Sequence, residues 1–182
     1  MPTQGKQSSS ADALDLLRAD HDRVRDLFRA FEQLKGSVED DERKSELVDE
    51  ICYELTLHTM IEEEIFYPAV RTAIDDNALM DEADIEHAGA RELIGQLEVM
   101  YPGDDHFDAT VTVLGEEVTH HIEKEESDMF AAARHSGIDL DALGEQLAAR
   151  KEELDDDLSA PPPTRDAMAP RDGARRPPRA PD

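Results

Sequence analysis

One cysteine, Cys52, stands in the whole 182-residue chain, so no internal disulfide can form and nothing points to an oxidising compartment. Cys52 is expected to be a small buried apolar residue. Long hydrophobic runs are missing too. No segment approaches the roughly 18 apolar residues needed to span a bilayer, and Met1 to Ser10 lacks the apolar stretch of a secretory signal. The expected location is the cytoplasm. Basic residues are scarce: 19 against 45 acidic ones give a formal charge of −26. That balance argues against broad contact with nucleic acid or an anionic membrane, and it reads as a solvated helical surface. What is present, a 38% hydrophobic content, suits one globular domain with tails.

Apolar residues recur at three and four along most of the chain, the period of amphipathic helices. From Ala11 to about Lys35 the stripe is Leu14, Leu17, Val24, Phe28 and Phe31. Leu47, Ile51, Leu55, Ile65 and Ala69 trace a second helix. Met80, Ala83, Ala90, Ile94 and Leu97 mark a third, from about Leu79 to Tyr101, before Pro102-Gly103 breaks it. A fourth carries Phe107, Val111, Leu114, Val118, Met129 and Ala132 and stops near Gly137. The expected fold is all-α, an up-down-up-down four-helix bundle over 12–136. A short fifth helix over 138–158 would lie on the bundle or on a neighbour. Residues 1–11 and 159–182 are expected to be disordered. The latter hold seven of the ten prolines and five arginines, too little apolar surface to fold.

The apolar stripes are interrupted by a repeated set of polar residues. His58 and His121 are each followed four residues later by a glutamate, Glu62 and Glu125. The lone histidines His21 and His87 precede them by 37 and 34 residues. Asp20-His21 aligns with Glu86-His87, Arg25-Asp26-Leu27 with Arg91-Glu92-Leu93, and Thr56 with Thr119. Each half therefore reads as a helical hairpin whose first helix gives one ligand and whose second gives two. The i, i+4 spacing puts His and Glu one turn apart on a single face, and the four stripes converge on one axis. Burying two ionised carboxylates there without a partner would cost several kcal/mol each. Arg25, Arg91 and Lys124 lie at flanking positions, so bound cations must supply the compensating charge. Imidazole and carboxylate without thiolate suit iron, manganese or zinc, and two carboxylates shared by four histidines suit two ions better than one.

These residues, within HTMIEEEIFYP, IEHAGAREL and HHIEKEE, resemble the hemerythrin-like HHE cation-binding domain over about 12–136. A ferritin-like di-iron protein would instead show Glu-x-x-His pairs. The resemblance implies two non-haem iron ions, oxo- or hydroxo-bridged, with Glu62 and Glu125 as bridges and His21, His58, His87 and His121 as terminal ligands. It departs from the oxygen-carrying hemerythrins at Arg91, where they have a further histidine, and at Glu126, where they have the bridging aspartate. One histidine fewer leaves the pair more accessible. That favours chemistry with O2, hydrogen peroxide or nitric oxide over reversible oxygen carriage.

Tyr53 is a candidate catalytic residue beside the metal ligands, and Glu54 a candidate further ligand one turn before His58. His120 points about 100° off the ligand seam, and His106 and His135 lie at helix ends facing water. Two functions remain open: an oxidoreductase with catalase-like or nitric-oxide-linked peroxidase activity, and a module that senses iron, oxygen or redox state or binds O2 without turnover. The expected partners are a small-molecule ligand and an unidentified reductant, with no nucleic acid and no membrane. The expected state is a monomer or weak homo-oligomer.

Overall fold

The computed structural model describes residues 11–74 and 77–159, and all regular structure among them is helical. Helix α1 is Ala13–Leu34. Helix α2 covers 41–73 and consists of Asp41–Ile61, a π-helical turn Glu62–Phe66, and Tyr67–Ala73. Helix α3 is Asn77–Leu97. Helix α4 covers 107–135 as Phe107–Lys124, a second π-helical turn Glu125–Met129, and Phe130–His135. Helix α5 is Leu140–Ser159. The third helix thus stops at Leu97, short of the Tyr101 limit expected from its stripe. The expectations of disorder for the two chain ends concern residues that lie almost entirely outside the described ones. No helix among the described residues is long and apolar enough to cross a membrane.

Local chemistry sets the boundaries. The Asp12 carboxylate accepts a hydrogen bond from the Asp15 N–H at 2.9 Å and caps α1. Gly36 (φ 78°) and Gly137 (φ 84°) adopt the left-handed backbone that ends α1 and α4. Helices α1 and α2 form one hairpin, α3 and α4 the other, and α1–α4 and α2–α3 contacts close the four-helix bundle, with α5 laid over α1 and α2.

The apolar core is divided in two. One cluster joins Leu14, Leu17, Ile61, Phe66, Met80 and Phe130 to Leu143, Leu147 and Leu154 of α5. The other joins Val24, Phe31, Ile51, Ile94, Phe107 and Leu114. On every bundle helix the histidine falls between the two clusters: Leu17–His21–Val24, Leu55–His58–Ile61, Ala83–His87–Ala90 and Val118–His121–Met129. The four imidazoles are therefore brought to mid-bundle and walled by apolar residues above and below.

Candidate metal centre

All six sequence-predicted ligands are buried and converge. Their donor atoms fall into two groups, His21–His58–Glu62–Glu125 and Glu62–His87–His121, each within 4.8 Å. Glu62 belongs to both groups. His21 Nε2 lies 3.1 Å from Glu125 Oε2, His58 Nε2 3.2 Å from Glu62 Oε2, and His87 Nε2 3.4 Å from the same Glu62 oxygen.

Outside this cluster, each imidazole turns its Nδ1 toward a carboxylate. His21 meets Glu126 at 2.9 Å, His87 meets Glu63 at 3.0 Å, and His121 meets Glu86 at 2.8 Å. His58 faces Asp20 Oδ2 at 3.8 Å. The pattern follows the repeat: Glu63 and Glu126 each come directly after a proposed bridge, and Asp20 and Glu86 directly before a lone histidine. An ionised carboxylate only accepts hydrogen bonds, so Nδ1 is the donor in His21, His87 and His121, and in a neutral ring that leaves the Nε2 lone pair facing inward. Burial, reinforced by the nearby His121, lowers the His87 pKa to about 4 and keeps that ring neutral. His87 Nε2 nevertheless lies 3.2 Å from His121 Nε2.

Without a cation this is an uncomfortable arrangement. His21 Nε2, both nitrogens of His58, Glu62 Oε1 and both Glu125 oxygens are buried with no aligned hydrogen-bond partner. Burial pushes the Glu62 carboxyl well above the usual range, and adjacent Glu125 pushes it further. Burial would raise Glu125 as well, and only positive charge on the imidazoles around it, His21 first, would draw it down to about 2. Buried, converging nitrogens and oxygens without partners fit positive ions, and their nitrogen and oxygen chemistry fits borderline metals.

Tyr67 enters the centre unforeseen. Its hydroxyl lies 3.1 Å from His87 Nε2, 3.3 Å from Glu62 Oε2 and 3.4 Å from His121 Nε2. Burial, with the charges of Glu62 and Glu125, raises its pKa well above the ordinary phenol, so the hydroxyl keeps its proton. In an α-helix a residue five positions after Glu62 would point about 140° away. The π-turn supplies the extra residue, with the Tyr67 N–H donating to the Glu62 carbonyl, and brings Tyr67 back over the glutamate. The signal in the sequence was an aromatic residue five positions after each buried glutamate, Tyr67 and Phe130.

Tyr53 and Glu54 are not brought to the centre. The Tyr53 hydroxyl donates to Asp155 of α5, and Glu54 faces Arg23 at 3.6 Å. Tyr53, five residues before His58 in an α-helical stretch, points about 140° away from it, whereas Glu54 shares the His58 face one turn off and is turned to Arg23 instead. His120 lines an open groove between α1 and α4, His106 is exposed at the start of α4, and exposed His135 donates from Nδ1 to the Ala131 carbonyl. Lys44 is a buried cation, but it pairs with Asp41 at 3.0 Å and lies 3.7 Å from Asp108, near the other end of the bundle.

Among known proteins, the model of the hemerythrin HHE cation binding domain matches residues 12–133. The uncharacterized protein Rv2633c of Mycobacterium tuberculosis is 30% identical over 152 residues, which cover 78% of this chain and 86% of that protein. A DNA nickase of Nostoc sp. is 31% identical over 134 residues, 74% of this chain but 37% of the nickase, so the chain spans little more than a third of that relative. The crystal structure of a hemerythrin HHE cation binding domain-containing protein, the Rv2633c homolog from Mycobacterium kansasii, matches with a TM-score of 0.67 and 26% identity, over 79% of this chain and 87% of that one. With the family pattern spanning the bundle and its histidines and glutamates gathered at one buried centre, this chain belongs to the hemerythrin HHE cation-binding domain family.

Proposed function

We propose that the protein holds two non-haem iron ions and uses them on a small oxygen or nitrogen species, with hydrogen peroxide as the first substrate to test and nitric oxide and O2 next. His21, His58, Glu62 and Glu125 would hold one ion, His87, His121 and Glu62 the other. Glu62 is the bridge best supported by the geometry because it belongs to both groups. When bound, such a pair supplies Lewis acidity and exchange of two electrons. Glu126, Glu63 and Glu86 keep the imidazole lone pairs aimed inward, and the Tyr67 hydroxyl is within reach to give or take a proton at the Glu62 side.

The observation that carries the small-substrate reading is the space beside the imidazoles. It is about 20 Å3, lined by His21, His58, His87 and His121 themselves and walled by Val24, Leu55, Ala90, Val118 and Ile122. A water molecule needs about 10–15 Å3 by this measure, so the buried centre leaves room for the ions and species of about that size and none for an organic substrate. Peroxide breakdown balances without an outside reductant: one molecule is oxidised to O2 while a second is reduced to two waters. The nitric-oxide-linked and O2 reactions need an electron donor. One relative, of which this chain spans 37%, is named a DNA nickase. A charge of −26 works against binding a phosphate backbone, so we do not carry that activity over. The cytoplasm is the compartment we propose.

The test is metal content per chain, an absorption spectrum, and peroxide consumption with oxygen release by protein from iron-supplemented cells. About two irons with turnover supports the enzyme reading, and two irons without turnover supports sensing or O2 binding. Absence of metal after reconstitution with ferrous iron overturns both.

A further inference from the structure

Each carboxylate that meets an imidazole Nδ1 is in turn held by a cation. Arg25 donates to Glu126 at 3.0 Å, Arg91 donates to Glu63, and Lys124 stands 3.8 Å from Glu86. The internal repeat accounts for the first two, since Arg25 and Arg91 each follow a lone histidine by four residues. It fails at the third. Lys124 lies three residues after His121, and the equivalent position three after His58 is Ile61, wholly buried. The first half of the bundle therefore lacks its own cation for Asp20, the carboxylate facing His58.

Helix α5 supplies it. The Lys151 ammonium donates to Asp20 Oδ1, leaving Oδ2 turned toward His58 Nδ1. Leu143, Leu147 and Leu154 anchor α5 in the same apolar cluster as Ile61, and Arg150 donates to Glu64 at 2.7 Å one residue earlier. Asp20 Oδ2 and both His58 nitrogens are buried without another hydrogen-bond partner. Asp20 thus has Lys151 on one oxygen and His58 opposite the other.

We propose that Lys151 is a positioning residue of the metal centre: by fixing Asp20 it orients His58 and completes the His21–His58–Glu62–Glu125 group. The fifth helix is then part of the metal site, standing in for a residue the repeat lost at Ile61. This rests on the reading that the cluster binds two ions.

The experiment uses the full chain, stripped of metal and titrated anaerobically with ferrous iron against a competing chelator, with absorption spectra of the loaded forms. Wild type should take two ions. Lys151→Met should weaken one of them by about tenfold or more, as loss of an outer partner typically does, and leave the other unchanged. Asp20→Asn should reproduce that pattern and Lys151→Arg should restore two-ion binding. Arg150→Gln, which breaks a different α5 contact, should bind as wild type does. Wild-type affinities and spectrum in both Lys151→Met and Asp20→Asn would overturn the proposal, as would equal weakening in Arg150→Gln, which would mean that α5 docking in general is what matters. A wild-type chain that takes up no iron overturns the metal reading itself, and this inference falls with it.

Discussion

Tyr67 and Phe130 are related by the internal repeat: each follows a buried glutamate by five residues across a π-turn, and each stacks on the imidazole of the other half. Tyr67 lies over His87 with ring centroids 5.2 Å apart, and Phe130 over His21 at 5.8 Å. The two ends of the centre are shaped alike, but only one carries a hydroxyl. That one faces the group with fewer carboxylates, where Glu62 is joined by two histidines.

Tyr67→Phe removes the one hydroxyl among the two stacked rings while keeping both rings. Helix content and metal content should be unchanged, because the fold needs only the ring. If the hydroxyl moves a proton during turnover, peroxide consumption should fall by roughly 100-fold, the usual size of a positioned acid or base. Unchanged turnover in a fully loaded variant would show that Tyr67 has no part in the chemistry.

Glu62 and Glu125 should not be interchangeable, although the sequence writes them identically. Glu62 joins both ligand groups and Glu125 only the one with His21 and His58. Glu62→Gln is expected to lose both ions and Glu125→Gln to keep the His87–His121 one. Iron per chain, measured after desalting, distinguishes the two outcomes, and equal loss in both variants would contradict the asymmetry.

The convergence of the four histidines and two glutamates was legible in the sequence because a helical stripe is a local property: His58 and Glu62 share a face whatever packs against them. The helical hairpins were legible for the same reason. Tyr67 was not, because its approach depends on a π-turn that breaks the 3.6-residue period on which the stripe is read. Tyr53, read on the α-helical period, instead reaches Asp155 of α5. Lys151 was invisible for a different reason. Its contact with Asp20 arises only when α5 docks, and nothing near His58 in sequence announces that partner.

Cys52 should be inert in the folded protein. It sits among Leu47, Val48 and Leu55 at 9% exposure, and burial, with Glu98 and Asp49 nearby, pushes its thiol up to about 12. The thiolate is the reactive form, so at pH 8 iodoacetamide should label the native chain only slowly and the denatured chain readily. Rapid labelling of the native protein would show that the core cluster around α2 opens.

Gly144 tests how α5 is seated. A Cβ at this position would lie 2.8 Å from the Ala13 nitrogen and 2.9 Å from the Ala11 oxygen, both rigid backbone at the start of α1. Since neither side can yield by rotating a side chain, Gly144→Val must lift α5, at a cost of about 1–3 kcal/mol. For a chain of this size that is roughly 2–12 °C in Tm. Because Lys151 lies two turns further along the same helix, the lift should also draw its ammonium away from Asp20. Thermal unfolding should therefore show a lower Tm in the metal-free form, and iron titration a loss confined to one of the two ions. A Tm drop with both ions retained would mean that α5 pivots near Gly144 and keeps Lys151 in place.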